Sequence, residues 1–292
     1  MTKIEFKINF ELKRIGHFHK IDSPISQVSN KRDNDIRKDM QKIATDARYC
    51  GIGVTANKKG NVNTWTNADV LKIVNYYKNN GLKDATIINM VSSFRSFLHE
   101  TGKTNITITN EQLGLKREIE YKDKSLEAKN VDINEKLTYF KEKDVNVYTQ
   151  LKLAVIAGLR REETVHAGLA LAKGYDIVKD NKLFLKSSWC KNGRPRNIAL
   201  SDEKAKEIKA LRDYLKTTNY KQDRNLAQEK DHLSNAIRAQ GFNIHAARHT
   251  FAKNEFLNET GKKGLTEKEA KQSVSEKLGH CRIGITKTYL AK

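Results

Sequence analysis

The chain has 292 residues, with 55 Lys plus Arg against 35 Asp plus Glu, which gives a formal charge of +20 at neutral pH. This length is typical of two domains. A hydrophobic content of 38% is typical of a globular chain and excludes general disorder. The net charge is +8 over residues 1–131 and +12 over residues 132–292, so both halves are basic. Such an excess indicates a polyanionic partner, usually nucleic acid.

Cysteine usage and hydropathy exclude further classes. The three cysteines (Cys50, Cys190 and Cys281) are far apart and form no C-x-x-C motif, which argues against a disulfide framework and a zinc ribbon. Their pattern fits a reducing compartment. No apolar run of about 18 residues occurs, so no membrane span is predicted. The first residues lack the apolar core of a signal peptide, and we therefore expect a cytoplasmic protein.

The first half of the sequence predicts a small helical domain. Residues 1–30 carry little helical signal and are predicted to form an N-terminal arm. Thr66 and Asp69 form a capping-box pattern at the start of the second of three helices. Apolar residues recur at helical spacing in three segments, over about 34–49, 66–81 and 84–100. The predicted helical domain therefore covers residues 31–114, and a polar linker follows over 115–131.

The second half, residues 132–292, predicts a larger domain that is mainly α with one small antiparallel β-sheet. The predicted strands lie over 175–179, 182–188 and 196–200. Ser201, and later Thr266 with Glu269, provide cap signals for helices. The predicted helices cover 147–158, 201–215, 225–239, 244–258 and 266–278.

Four short motifs in this half contain side chains suited to phosphate chemistry. Two arginines can hold the oxygens of one phosphate by charged hydrogen bonds, a tyrosine hydroxyl can act as nucleophile, and a lysine or histidine can move protons. No carboxylate cluster suggests a metal, so no metal or cofactor is predicted. The motifs are Gly158-Leu159-Arg160-Arg161-Glu162-Glu163, His245-Ala246-Ala247-Arg248, Leu278-Gly279-His280 and Tyr289, with a basic hairpin containing Lys191 after the first.

This motif set resembles the tyrosine recombinase (phage integrase) family, and in particular integrases of mobile genetic elements. Arg160 and Glu163 match the family's G-L-R-x-x-E pattern, and Lys191 matches its hairpin lysine. His245 and Arg248 match H-x-x-R. His280 matches the histidine of L-G-H, and Tyr289 follows it at the spacing of the nucleophile. The resemblance covers residues 132–292.

The resemblance implies a fold and a mechanism. A helical core-binding (SAM-like) domain and a catalytic domain with the DNA breaking-rejoining fold would form a C-shaped clamp on double-stranded DNA. Tyr289 would attack a phosphodiester and form a 3′-phosphotyrosyl bond, without ATP or metal. The other implied roles are phosphate binding by Arg160, Arg248 and His280, general-acid catalysis by Lys191, acceptance or positioning of the tyrosine proton by His245, and orientation of these groups by Glu163.

The resemblance also implies partners. Members of the family act as homo-oligomers, with a dimer on each site and a tetramer in the synapse, and an accessory DNA-bending or directionality factor is compatible with this interpretation. Side chains that we expect to contact DNA are Lys58, Lys59, Ser92, Ser93, Arg95, Arg194 and Arg196.

Several interpretations stay open at this point. Lys186 or Arg194 could take the place of Lys191, and His249 is interpreted as a structural residue. The same chemistry could belong to a type IB topoisomerase, which relaxes DNA without recombinant products. The fold could instead serve a non-catalytic DNA-binding regulator, although a pure binder has no need of Tyr289.

Overall fold

The computed structural model describes residues 26–52, 64–100, 106–280 and 283–291. The chain divides into two compact units, Met1–Ile119 and Glu120–Lys292. As predicted, the described residues are mainly helical and contain one small antiparallel sheet. No helix in this part of the chain is both long and apolar enough to cross a membrane. Residues 1–25 of the predicted arm, and the predicted DNA contacts Lys58 and Lys59, lie outside the described residues.

The first unit contains the three helices that the apolar spacing predicts. They are α1 (Ser26–Asp46), α2 (Asn67–Asn79) and α3 (Asp84–Glu100), and a 3-10 turn, Ala47–Cys50, follows α1. The capping box is present, since the backbone N–H of Thr66 donates to Asp69 Oδ2 at 2.8 Å. Helix α1 begins earlier than predicted and includes residues 26–30 of the predicted arm. The apolar spacing did not predict these first turns, because they are polar and carry no apolar stripe.

One hydrophobic core holds the first unit together. Trp65 is almost completely buried and stacks obliquely on Phe94 at 5.4 Å between ring centroids. Around this pair the predicted stripes of all three helices are buried, with Met40, Ile43, Ala44, Val70, Ile73, Val74, Tyr77, Ile87, Val91 and Leu98 inside. The core forms because each helix has a single apolar face.

The segment predicted as a linker, residues 115–131, is packed at both ends. Leu115 is buried in the core of the first unit, and Leu126 is buried in a core of the second. The backbone N–H of Leu126 also donates to Thr250 Oγ1 at 3.1 Å.

The second unit combines helices with one short sheet. A 3-10 turn, Glu127–Lys129, precedes α4 (Ile133–Lys143), α5 (Val145–Ala157), α6 (Arg161–Ala172), β1 (Val178–Lys179), β2 (Lys182–Leu185), β3 (Arg196–Ala199), α7 (Asp202–Lys216), α8 (Leu226–Ala239), α9 (Ile244–Gly261), α10 (Glu267–Lys277) and α11 (Ile283–Tyr289). The spacing of apolar residues predicts neither α4 nor α6. Helix α4 buries only Leu137 and Phe140, and α6 is buried on more than one face, so neither has a clear apolar stripe.

The sheet has the order β1-β2-β3 with antiparallel pairing throughout. Leu183 lies opposite Ile198, and both are buried. Strand β2 is shorter than predicted because the chain turns into a 3-10 segment at Ser187–Trp189. The register places Arg196 opposite Leu185, at the start of β3, so the sheet fixes the backbone from which the Arg196 side chain extends.

Helix α5 is the centre of the second unit. It packs against α4, α6, α7, α8 and α9, and Leu151, Leu153 and Ala154 are completely buried. A helix buried on all sides fixes the position of the residues that follow it, which here are Gly158 to Arg160.

Candidate active site

The site begins where α5 ends and α6 begins. Gly158 terminates α5 in the left-handed conformation, with a φ of 60°. A Cβ atom at this position would lie 2.3 Å from Cδ1 of Phe251, so only glycine fits. The sharp turn lets Arg160 stand at the N-cap of α6. The glycine of the first motif is therefore required by packing and by backbone conformation.

Glu163 is the central carboxylate of the site and is completely buried. It accepts from the backbone N–H and the Nη1 of Arg160, each at 2.8 Å, and from Nη2 of Arg196 at 2.5 Å. Burial alone would raise the pKa of the Glu163 carboxyl, but the charges of Arg196 and Arg160 outweigh it and hold the pKa below its ordinary value. Glu163 is therefore ionised at neutral pH and fixes both arginines.

Three arginines converge on the C-terminal end of α10. The last carbonyls of a helix lack partners within the helix and carry partial negative charge, which guanidinium donors satisfy. Each arginine takes a different carbonyl: Arg196 Nη1 donates to Lys277 O at 2.6 Å, Arg248 Nη2 to Leu278 O, and Arg160 Nη2 to Gly279 O at 3.1 Å.

Arg248 is completely buried and connects two helix ends. Its Nη1 donates to the carbonyl of Gly158, and its Nη2 also lies 3.2 Å from Nε2 of His280. Burial and the neighbouring charge of Arg160 lower the pKa of Arg248 to about 10, so the guanidinium keeps its charge at neutral pH.

Tyr289, the last residue of α11, lies among three histidines and Arg248. Its side chain is largely buried, with 8% exposed. The centroid of its ring lies 4.4 Å from that of His249, 4.9 Å from His280 and 5.3 Å from His245. The Cζ atom of Arg248 lies 5.5 Å from the same ring centroid. The second, third and fourth motifs therefore meet around one tyrosine.

The three imidazoles are neutral at neutral pH. Burial, together with the charges of nearby arginines, lowers the pKa of His280 to about 3 and that of His245 to about 4. His245 is an exposed residue, but one side of its ring lies against His249 and Tyr289. Burial also lowers the pKa of His249 to about 4. Because Arg248 can only donate, Nε2 of His280 must accept, and the proton of His280 is on Nδ1, 3.4 Å from Thr286 Oγ1.

The predicted lysine, Lys191, and the predicted DNA contacts Arg194 and Arg196 differ in their exposure. Lys191 and Arg194 are exposed in the connection between β2 and β3, where Lys191–Gly193 forms a 3-10 turn. Arg196, also a predicted DNA contact, donates from its guanidinium to Glu163 and to the Lys277 carbonyl. Its contact with DNA stays a prediction.

The residues of the first unit that are predicted to contact DNA also differ in exposure and in hydrogen-bond partners. Ser92 is exposed on α3. Ser93 donates to Asp39 Oδ2 at 2.5 Å, and Arg95 donates to Asn110 Oδ1 at 2.8 Å and to the carbonyl of Ile108. The side chains of Ser93 and Arg95 therefore have partners within the unit, and their contact with DNA stays a prediction.

Two residues of the site were not assigned to it from the sequence. His249 is one helical turn after His245, and this i, i+4 spacing is the signal that places both on one face of α9. The partnership of Arg196 with Glu163 has no such local signal. Over the described ranges, no group of three or more His, Cys, Asp or Glu side chains is arranged to hold a metal ion.

No protein-family model and no curated protein matches the sequence. Solved structures of integrases, however, share the fold. A lambda integrase dimer bound to a COC′ core site is 14% identical, with 97% of this chain and 76% of that chain covered and a TM-score of 0.58. A Tn1549 transposon integrase in complex with transposon right end DNA is 14% identical, with 100% and 95% covered and a TM-score of 0.57. The chain therefore has the tyrosine recombinase (integrase) fold that its motifs predict.

Proposed function

We propose that this chain is a site-specific DNA recombinase that cleaves and rejoins DNA through a 3′-phosphotyrosyl intermediate, for integration or excision of a mobile element. The observation that carries the proposal is the position of Tyr289 between the guanidinium of Arg248 and three neutral imidazoles. The integrase fold and the basic charge of both halves support it.

The charges of the site suit a phosphodiester. Among the described side chains that form the site, three guanidinium groups share the single carboxylate of Glu163, and the neutral histidines add no charge. The site therefore has an excess of positive charge before DNA binds. Arg160, Arg248 and His280 hold the scissile phosphate in this proposal, and they stabilise the additional negative charge that develops on its oxygens in the transition state.

Tyr289 is the nucleophile in the proposed reaction. Its hydroxyl oxygen forms a bond to phosphorus while the bond from phosphorus to the 5′ oxygen breaks. Neutral His245 accepts or positions the phenolic proton. The guanidinium of Arg248 lies beside the ring of this nucleophile, with 5.5 Å between Arg248 Cζ and the ring centroid.

Proton transfer completes the cycle. We assign the general acid to Lys191, an exposed lysine on the connection that leads into β3, and it donates its proton to the leaving 5′ oxygen. The 5′ hydroxyl of a partner strand then attacks the phosphotyrosine and releases Tyr289. The energy of the phosphodiester is kept in the covalent intermediate, so the reaction as proposed consumes no nucleotide.

Strand exchange needs more than one copy of the site. Lambda integrase forms a dimer on its core site. By analogy, we propose that this chain binds each DNA site as a dimer and that two such dimers form a tetramer in the synapse.

A covalent-trapping assay tests the proposal. Native protein, Tyr289→Phe and the control Tyr175→Phe are incubated without metal with nicked duplexes from the DNA that flanks the encoding gene, and are resolved on a denaturing gel. Tyr175 is an exposed tyrosine of the same unit. We expect a covalent adduct from native protein and from Tyr175→Phe, and none from Tyr289→Phe. Confirmed DNA binding without an adduct from native protein would instead identify a non-catalytic regulator. An adduct accompanied by relaxation without recombinants would identify a topoisomerase.

A further inference from the structure

A short segment at the start of the second unit is fixed to helix α9 beside the histidines. Asp123 forms an ion pair with Lys253 at 2.9 Å, and Lys253 also lies 3.2 Å from Glu127. The N–H of Leu126 donates to Thr250 Oγ1 at 3.1 Å. Thr250 and Lys253 follow closely after His249 on α9, so residues 123–127 are held against the helix that carries His245 and His249.

The attachment is firm. Ser125 and Leu126 are buried, and the Ser125 N–H donates to Asp123 Oδ1 at 2.8 Å. Burial would raise the pKa of Asp123, but the hydrogen bonds from Ser125 and Lys253 lower it, and the hydrogen bond to Asp123 raises the pKa of Lys253. The ion pair is therefore fully charged at neutral pH, and the backbone on either side of Lys124 is fixed.

Lys124 lies between these anchors with its side chain exposed. Burial is the main cause of the low pKa of His245 and of His249, and the charge of Lys124 lowers both pKa values further. Lys124 therefore lies on the segment that is fixed to α9 beside both imidazoles. Asp123, its adjacent carboxylate, is already paired with Lys253.

We propose that Lys124 binds a DNA phosphodiester at the edge of the site formed by His245 and His249. The inference rests on the proposed function, because it requires a DNA strand in the site. A strand whose scissile phosphate lies at Arg160 and Arg248 carries further phosphates on either side of it. A fixed backbone with an exposed ammonium suits a phosphate, because lysine offers three donors that need no planar partner. Such a contact positions the strand without reading its sequence.

Binding as a function of salt tests this contact. Dissociation constants for one duplex are measured over a range of salt for Lys124→Gln and for the control Lys216→Gln, both combined with Tyr289→Phe so that no adduct forms. Lys216 is an exposed lysine of α7 paired with Asp213 at 2.7 Å. We expect Lys124→Gln to reduce the slope of log K against log salt by about 0.9, the value for one lost phosphate contact. Slopes that are equal for the two variants would overturn the inference.

Two further measurements separate other roles. If Lys124 were instead the general acid, Lys124→Gln would cleave ordinary DNA slowly. The variant would regain its rate on a substrate whose leaving 5′ oxygen is replaced by sulfur, because a thiolate leaves without a proton. That rescue would overturn the inference, whereas equal relative rates on both substrates would support it. In the protein without DNA, NMR titration of Lys124→Gln should give a higher pKa for His245, and an unchanged value would contradict the proximity.

The two proposals fail separately. An absent adduct from native protein would reject the recombinase reaction. The salt dependence would still decide whether Lys124 contacts phosphate, because it is measured on protein that cannot form an adduct.

Discussion

The guanidinium of Arg196 connects two separate parts of the candidate site. It joins Glu163 to the carbonyl of Lys277, which are 33 and 81 positions away in the chain. Gly279 lies against it so closely that a Cβ there would be 2.8 Å from Arg196 Cδ. Arg196 therefore positions Arg160, through the shared carboxylate, and the end of α10 that leads to His280.

Arg196→Lys tests this positioning role. Lysine lacks the planar fork with which the guanidinium reaches Glu163 and the Lys277 carbonyl together, so the common support of Arg160 and His280 is weakened. We expect single-turnover adduct formation at saturating DNA to fall by about 100-fold, the effect of a misplacement of about 1 Å, with little change in DNA affinity. Arg212→Lys is the control, because Arg212 pairs with Asp176 at 3.2 Å away from the site and should keep its rate. A loss of affinity with an unchanged rate constant would indicate a DNA contact instead.

His249 links the site to the pH dependence of stability. Its ring is 1% exposed and stacks on Tyr289, and its pKa in the folded protein is about 4, below the ordinary value of 6.5. The unfolded chain therefore binds a proton at a higher pH than the folded chain does. The contribution of neutral His249 to stability is complete above pH 6.5 and is lost as the pH falls towards 4.

His249→Phe keeps an aromatic ring against Tyr289 and removes the titrating group. Urea unfolding between neutral pH and about pH 4 should show a weaker pH dependence for the variant than for native protein. The expected difference in slope approaches one proton, which corresponds to about 1.4 kcal/mol per pH unit. Parallel curves for the two proteins would show that His249 does not titrate with the expected low pKa.

At the scale of elements, the junction between α5 and α6 delivers Arg160 to the site. Gly158→Ala places a methyl group against the ring of Phe251 and forces alanine into the left-handed region. Gly174→Ala is a matched control, because Gly174 also has a positive φ, of 81°, but a Cβ added there would have no neighbouring atom within 4 Å.

Urea denaturation should distinguish the free-energy cost of the left-handed backbone conformation from the cost of overpacking against Phe251. We expect Gly174→Ala to lower the free energy of unfolding by about 1–2 kcal/mol, from backbone conformation alone. Gly158→Ala should lower it by a further 1–3 kcal/mol or so, from overpacking against Phe251. Equal losses in the two variants would mean that the Phe251 ring moves aside without cost.

Helix α11 depends on tertiary packing. It has seven residues, fewer than an isolated helix needs for stability in water. Thr286 and Tyr289 are buried against α9 and α10, next to Phe251, Val274 and Leu278. The position of Tyr289 is thus set by packing against α9, which carries Arg248, and against α10, which leads to His280. A shift of either helix would therefore move the candidate nucleophile.

At the scale of the whole molecule, the charge of +20 has a consequence for DNA binding. Each phosphate contact releases counterions, so affinity falls steeply as salt increases. If 6–10 phosphates or so are contacted, the affinity should fall by about 1,000-fold or more between 50 and 200 mM salt. Tyr289→Phe should show the same dependence, since it changes no charge. An affinity that hardly varies with salt would contradict a phosphate-dominated interface.

Much of the fold could be predicted from the sequence because its signals are local. The stripe Val70, Ile73, Val74 and Tyr77 is buried as the spacing indicates, and Thr266 caps its helix with Glu269 as the capping pattern indicates. Helices α4 and α6 were not predicted, because one buries few residues and the other is buried on several faces.

Spacings within single segments of the sequence are sufficient to predict the helices with apolar stripes, the short sheet and the motifs that contain Arg160, Arg248, His280 and Tyr289. Composition is sufficient to predict the basic character of the chain. Which side chains share a partner depends on the folded chain. In the folded chain Arg196 pairs with Glu163, and His249 stacks on Tyr289. Lys191 is exposed, and the segment that carries Lys124 is fixed against α9. Such pairings depend on how separate elements pack, and local spacing does not encode them.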